Sequence, residues 1–168
     1  TIIKDLSSLM EKQFREKLEI ISDNFNDVFR EMFGGGQAYL KLAEEDNVLD
    51  SGIDIIAQPP GKTLQSMMLL SGGERALTAI AILFSILKMK PSPFCILDEI
   101  EAALDDANVL RFGDYLQRFS NETQFIVITH RKGTMEAADV LYGVTMQEAG
   151  VSKIVSVKFD EAVRDNAI

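Results

Sequence analysis

Three short stretches of the sequence carry residue types that could bind or act on an anion, and the first is Ser71-Gly72-Gly73-Glu74. Ser71 and Glu74 have the spacing of a capping box, in which each side chain accepts a hydrogen bond from a backbone N–H at the start of a helix. Gly72 and Gly73 lack Cβ atoms, so another molecule can approach the backbone closely. A helix start with free N–H groups and a positive dipole end attracts anions. The stretch therefore predicts an anion site, although a capping box alone also fits plain helix initiation.

The second stretch is an acidic pair, Asp98-Glu99, which follows the apolar run Phe94–Leu97. Such a continuous run is typical of a buried parallel strand. In open α/β sheets, chemistry gathers at the carboxyl ends of the strands. Successive strand side chains point in opposite directions, so one carboxylate can hold a Mg²⁺ shell while the other faces a substrate water. The alternative is a strand-end pair that caps the following helix.

The third stretch ends in His130, the only histidine of the sequence. It follows a second apolar run, Gln124–Thr129, which predicts another buried strand. A lone histidine is more often structural than functional. At a strand tip beside other polar strand ends, however, His130 is placed to donate a hydrogen bond to a γ-phosphate.

A long helix over residues 1–33 is predicted to enter this region, because apolar residues recur at every third or fourth position. Its length of about 33 residues exceeds the ~11–12 of an ordinary globular helix, which favours a coiled-coil end or an arm. A core-packing helix is the alternative. Gly34–Gly36 end the helix, and the abrupt start of the pattern at Thr1 suggests a cut in a longer chain.

The remaining stretches alternate between strand and helix patterns. Residues 75–89 are apolar on nearly all sides, which predicts a helix buried on most faces against a sheet. Asp105 or Asp106 would cap the helix at 107–119. The other predicted elements are strands at 38–43, 53–58, 140–146 and 151–159, and a short helix at 135–138.

Composition sets the broad class. The 168 residues suit one domain or a domain with an appended helix. A net charge of −9 argues against a broad phosphate-binding surface, although it does not exclude local basic patches. No apolar run reaches the ~18 residues needed to span a bilayer, and the N-terminus is unlike a signal peptide. We therefore expect a cytoplasmic protein without a membrane partner, in which Cys95 is a buried small hydrophobe.

Gly61-Lys62-Thr63 resembles the end of a phosphate-binding P-loop. The first glycine of that motif would have to stand at Ile56. Pro59-Pro60 would occupy the loop that must supply backbone N–H donors. We reject this motif, and no other segment of the sequence supplies a P-loop.

In their order, these motifs resemble the second half of an ABC-type ATPase. The correspondence covers the signature motif, the Walker B strand, the D-loop and the switch histidine, at Leu70–Glu74, Phe94–Glu99, Ala103–Asp105 and His130. The sequence of Asp98–Asp105 differs from the corresponding stretch of transporters, which usually have Pro-Thr after the acidic pair. Together with the long entering helix, the junction Met32–Gly36 and the stretch Thr129–Met135, it closely resembles the C-terminal half of an SMC (structural maintenance of chromosomes) head, over essentially the whole chain.

The resemblance implies an α/β fold, the C-terminal lobe of an ABC-type head. Residues 1–33 would be the coiled-coil end and 34–168 the half-head. It implies ATP and Mg²⁺, with Asp98 orienting the metal, Glu99 polarising the attacking water and His130 contacting the γ-phosphate. The signature residues Ser71, Gly72, Gly73 and Glu74 would face ATP on an opposite head, and Asp105 would link the two sites.

The implied partners are an N-terminal half-head carrying the P-loop, a second head, and the C-terminal winged-helix domain of a kleisin near Val140–Phe159. DNA would be a partner of the assembly. The resemblance implies ATP hydrolysis only in the completed, dimerised head, in the service of chromosome condensation and partitioning at the nucleoid. Two alternatives stay open: the head of a coiled-coil DNA-repair ATPase, and a non-catalytic docking module.

Overall fold

A computed structural model describes residues 2–158 and divides them into helices, strands and one short 3-10 turn. The helices are α1 Ile2–Phe33, α2 Gly72–Met89, α3 Asp106–Phe119 and α4 Lys132–Glu136. The strands are β1 Gln37–Leu42, β2 Ile53–Gln58, β3 Gln65–Ser66, β4 Phe94–Asp98, β5 Gln124–Ile128, β6 Val140–Glu148 and β7 Val151–Lys158, and the 3-10 turn is Met67–Leu69. The end of the predicted strand at Phe159 lies outside the described residues. None of the described helices is long and apolar enough to cross a membrane.

The predicted long helix is confirmed as α1, but only its C-terminal third belongs to the core. Phe25, Val28 and Phe29 are fully buried there, whereas Leu6 near the start of the same apolar stripe is 55% exposed. The helix ends because Gly34 to Gly36 all have positive φ. A Cβ at Gly36 would lie 2.2 Å from the carbonyl oxygen of Gln58, so only glycine fits between α1 and β2.

Three separate sheets follow. Strands β1, β2 and β3 form an antiparallel sheet next to α1, and β6 pairs with β7 in an antiparallel hairpin. Strands β4 and β5 pair in parallel, as predicted, with Asp98 opposite Ile128 at their carboxyl ends. Strand β3 and the 3-10 turn were not predicted, because neither shows periodicity in the sequence.

The predicted burial of β4 and β5 holds for one face of this strand pair and fails for the other. Leu97 is 3% exposed on the covered face, whereas Ile96 and Ile128 on the other face are 58% and 51% exposed. Helices α2 and α3 cover one face of this two-stranded sheet, and no element among residues 2–158 covers the other. Cys95 lies on the covered face and is half-buried, and burial raises the pKa of its thiol.

Helix α2 is buried over most of its circumference, as predicted, and only one narrow strip of it is exposed. Phe84 is fully buried in an aromatic cluster formed with Phe112, Tyr115, Phe119 and Phe125. Ile86, on another side of the same helix, is 44% exposed. The packing of α2 between α1 and α3 fixes the direction in which the Ser71 end of α2 points.

Candidate active site

The capping box predicted from the sequence is present at the start of α2. The Ser71 hydroxyl accepts a hydrogen bond from the Glu74 backbone N–H, while Glu74 Oε2 accepts one from the Ser71 backbone N–H at 3.0 Å. The two glycines between them differ. A Cβ at Gly72 would meet open space, whereas one at Gly73 would lie 3.2 Å from the carbonyl oxygen of Ala103. The first turn is therefore open to a ligand at Gly72 and packed against the loop before α3 at Gly73.

Lys62, from the rejected P-loop stretch, donates a hydrogen bond to Glu74 at 2.9 Å. This bond first, and the one that the Ser71 hydroxyl donates to Glu74 Oε2 at 2.7 Å second, lower the pKa of Glu74 below its ordinary value of 4.5. Glu74 is therefore an anion beside the helix start, and Lys62 compensates its charge, so repulsion of an incoming anion is reduced. Sequence reasoning missed Lys62 because the turn between β2 and β3 alone brings it to Glu74.

Asp105 caps α3, which decides between the two capping residues proposed from the sequence. Its Oδ1 accepts a hydrogen bond from the Asn108 backbone N–H at 2.9 Å. Asp106 instead forms an ion pair with Arg131 at 2.8 Å. Asp105 shares one groove of about 520 Å³ with Ser71, Gly73 and Glu74. We call these four residues and Gly72 the signature groove.

The acidic pair and the histidine lie together at the carboxyl ends of β4 and β5, and we call Asp98, Glu99 and His130 the strand edge. The Glu99 N–H donates to the Ile128 carbonyl at 3.0 Å, which ties the end of one strand to the other. His130 Nδ1 lies 3.3 Å from Glu99 Oε1, and both side chains are more than half exposed. Glu99 and His130 are 31 positions apart in the sequence.

Glu99 has a backbone φ of +48°, the one positive φ among the described non-glycine residues. This left-handed conformation costs roughly 1–3 kcal/mol, and such strain clusters at active sites because it aims a functional side chain. The side chain of Asp98, one residue earlier, makes no hydrogen bond or ion pair with a described residue and is exposed. The two carboxylates therefore have different surroundings, and because Glu99 lies beyond the end of β4, its left-handed backbone and not strand alternation accounts for the difference.

No group of three or more His, Cys, Asp or Glu side chains among residues 2–158 could hold a metal by itself. Mg²⁺, however, usually keeps several waters and takes one or two carboxylates together with substrate phosphates. The unpaired carboxylate of Asp98 at the strand edge fits that mode. The residues present therefore fit a magnesium ion that arrives with a nucleotide.

The family of the chain follows from comparison with known proteins. A family model described as RecF/RecN/SMC N terminal domain matches residues 3–153. Since that match covers most of the sequence, the chain belongs to this family, and the resemblance drawn from its motifs is confirmed.

Within the family, individual relatives are similar to this chain over nearly its whole length. The Chromosome partition protein Smc of Bacillus subtilis is 63% identical over 160 residues, which are 95% of this chain and 14% of that protein. The protein of the same name from Desulfitobacterium hafniense is 58% identical over 164 residues, or 98% of this chain and 14% of its own length. The chain thus spans about one seventh of these relatives.

Solved structures agree on the fold. The Smc head domain with an extended coiled coil from Pyrococcus furiosus, solved bound to the C-terminal domain of ScpA, matches with a TM-score of 0.86 at 42% identity, over 98% of this chain and 41% of that one. A structure from work on ATP-driven dimerization and DNA stimulated activation of SMC ATPases has a TM-score of 0.80 at 43% identity, over 93% and 94% of the two chains. The fold is that of an SMC head lobe, mixed α/β, as predicted.

Proposed function

We propose that the chain is the C-terminal half of the ATPase head of a chromosome-partition SMC protein, in which ATP held between two heads joins them and hydrolysis releases them. The observation that carries the proposal is the strand edge, where Glu99 and His130 lie 3.3 Å apart at the ends of two parallel strands. Chemistry in open α/β sheets is located at this edge. The established family of the chain supplies the reaction class.

At the strand edge, Asp98 would hold Mg²⁺ through water, and the ion would supply charge for the γ-phosphate oxygens. Glu99 would accept a hydrogen bond from the attacking water and orient it toward phosphorus. His130 would donate a hydrogen bond to the γ-phosphate. The strained backbone of Glu99 supports its role, because the strain is retained at the residue that must aim at the water.

The signature groove would receive the ATP bound to the opposite head. Ser71, Gly72 and Gly73 present the start of α2, and Gly72 opens to empty space. None of the three strand-edge residues lines the signature groove. This separation supports two ligands rather than one. Asp105, in the groove but on the loop that continues from Glu99, would link the two sites.

The uncovered face of β4 and β5 supports the expected N-terminal half-head. Ile96, Ile126 and Ile128 leave that face apolar and about half exposed, which an isolated sheet does not tolerate well. The sequence also has no P-loop, so the γ- and β-phosphates need a second segment to cradle them. We propose that one segment, the N-terminal half with the P-loop, meets both needs.

The arm and the kleisin complete the assembly. The bare apolar stripe in the first half of α1 fits residues 1–33 as a coiled-coil end. Hairpin β6–β7 exposes Tyr142, Val144 and Ile154 at 67–72%, which suits docking of a kleisin winged-helix domain. A related Smc head has been solved with the C-winged helix domain of ScpA. DNA would bind the assembled complex in the cytoplasm, at the nucleoid, and we assign no residue to it.

The decisive experiment mixes this chain with a separately produced N-terminal half that carries the P-loop. We expect neither half alone to hydrolyse ATP and the mixture to do so, at a rate that rises more steeply than linearly with head concentration because two heads form each site. A mixture that binds this chain stably but never hydrolyses ATP would favour the rival proposal, a non-catalytic docking module. A linear dependence on concentration would contradict the shared site.

A further inference from the structure

Glu101, in the loop between β4 and α3, is the one acidic or basic side chain that is buried within residues 2–158, at 1% exposed. Its Oε1 accepts hydrogen bonds from the Thr129 hydroxyl and, at 3.1 Å, from the Thr134 hydroxyl. Its Oε2 is also buried and has no hydrogen-bond partner in the described part of the chain. The carboxylate is thus half satisfied.

A buried carboxylate of this kind lowers the stability of the folded protein. A buried carboxylate loses its hydration, and an unpartnered oxygen recovers none of that loss. An apolar side chain of similar volume would fill the same space without this cost, and replacements of this kind often stabilise proteins. A protein is expected to keep a destabilising buried group where its function requires the contacts that the group makes. The contacts of Oε1 therefore need a functional account.

The two threonines flank His130. Thr129 immediately precedes it and also accepts a hydrogen bond from the Arg131 N–H at 3.0 Å, while Thr134 lies four residues beyond, in α4. One carboxylate oxygen thus clamps the His130 loop on both sides. Glu101 itself is fixed next to Glu99, because the Ala102 N–H donates to the Glu99 carbonyl at 3.1 Å in a tight turn.

We propose that Glu101 is a positioning residue that holds His130 at its 3.3 Å distance from Glu99. The clamp joins the loop after β4 to the loop after β5, and these carry the two side chains assigned to the γ-phosphate and the water. The inference rests on the proposed ATPase function. Glu101 touches no reacting atom itself.

The test uses the head reassembled from the two halves, with Glu101→Met and Glu101→Gln in this chain. Methionine fills the volume but accepts no comparable hydrogen bond, so kcat should fall about 10- to 100-fold while the KM for ATP stays within about twofold. Glutamine keeps an amide oxygen that can accept from both threonines, so its kcat should stay within about threefold of wild type. A merely structural role would move both variants together with their melting temperatures.

His130 supplies a second, independent readout. Because it is the only histidine of the sequence, ¹³C-histidine labelling of this chain alone gives one set of imidazole NMR signals in the reassembled head. These signals should shift in Glu101→Met and stay near wild type in Glu101→Gln. The measurement needs no turnover. A wild-type head that failed to hydrolyse ATP would therefore refute the proposed function while the positioning of His130 was still decided.

Thr134→Val keeps the test decisive if Glu101→Met does not reassemble. Valine matches threonine in shape and removes one of the two hydroxyls, so kcat should fall with unchanged KM and the His130 signals should shift. The inference is wrong if a folded Glu101→Met or Thr134→Val variant keeps wild-type kcat and wild-type His130 signals. It is also wrong if Glu101→Gln loses as much kcat as Glu101→Met.

Discussion

The signature groove and the strand edge differ in how their side chains are held. In the groove, Ser71 and Glu74 satisfy each other in the capping box, Lys62 compensates Glu74, and Asp105 caps α3. At the strand edge, the Asp98 side chain makes no hydrogen bond or ion pair with a described residue, and the Glu99–His130 contact at 3.3 Å is long and exposed. The groove side chains therefore stabilise the fold in addition to binding any ligand, whereas the strand-edge side chains are free for chemistry. Substitutions should separate these roles.

The largest effect should come from Glu99→Gln in the reassembled head. The amide cannot accept a proton from water, so turnover should fall about 10²–10⁴-fold while ATP binding is retained. Heads would then accumulate as ATP-bound dimers, which sedimentation in the presence of ATP measures. Thermal stability should not fall, because Glu99 is more than half exposed and its one side-chain contact is long. Normal turnover would remove Glu99 from its role.

Ser71→Arg should come next, because it places a bulky cation at the opening of the signature groove. We expect loss of ATP-dependent head dimerisation, seen by sedimentation, and no more than about a twofold change in ATP affinity, because ATP binds first to its own head. Ser71→Thr is the matched control, since threonine keeps a hydroxyl that can cap the helix. If the arginine variant dimerised at the same ATP concentration as the wild-type head, this result would contradict the proposed distinction between the signature groove and the strand edge.

Ser71→Ala and Asp98→Asn compare the two regions in stability alone. Removing the Ser71 hydroxyl leaves the Glu74 N–H at the start of α2 without its cap, which should cost about 1 kcal/mol in the free energy of unfolding. Asp98→Asn should change that free energy by less than about 0.5 kcal/mol, because the exposed carboxylate makes no contact that the substitution removes. Urea unfolding of the completed head measures both. Equal losses in the two variants would contradict the comparison.

Lys62→Met should also have only a small effect on stability, and this effect should depend on pH. Lys62 lowers the pKa of Glu74, so its stabilising contribution is present above the ordinary value of 4.5 and is lost as the pH falls through the lowered pKa. At neutral pH the variant should lose less than about 1 kcal/mol, because the lysine is nearly half exposed. This difference from wild type should disappear in acid. A difference that grew as the pH fell would show that the lysine acts through another group.

Local patterns account for much of what was predicted. The spacing of apolar residues predicted α1, and the Ser71–Glu74 spacing predicted the helix start, because both depend on neighbours within two turns. The pattern at Phe94–Leu97 predicted a strand correctly, but the predicted burial holds for only one face of that strand. An apolar run reports that a face avoids water, and it does not report whether this chain or another one covers that face.

The sequence by itself determined most of the elements, the order of the motifs and the family, because capping and periodicity are local and the motif residues are read directly. Only the tertiary structure decided the contacts between distant positions. Lys62 meets Glu74, Glu101 clamps Thr129 and Thr134, and His130 reaches Glu99. These pairs are 12 to 33 residues apart. Each depends on a chain reversal or a parallel strand pairing, and the free energy of such pairings comes from packing that no single stretch of sequence contains.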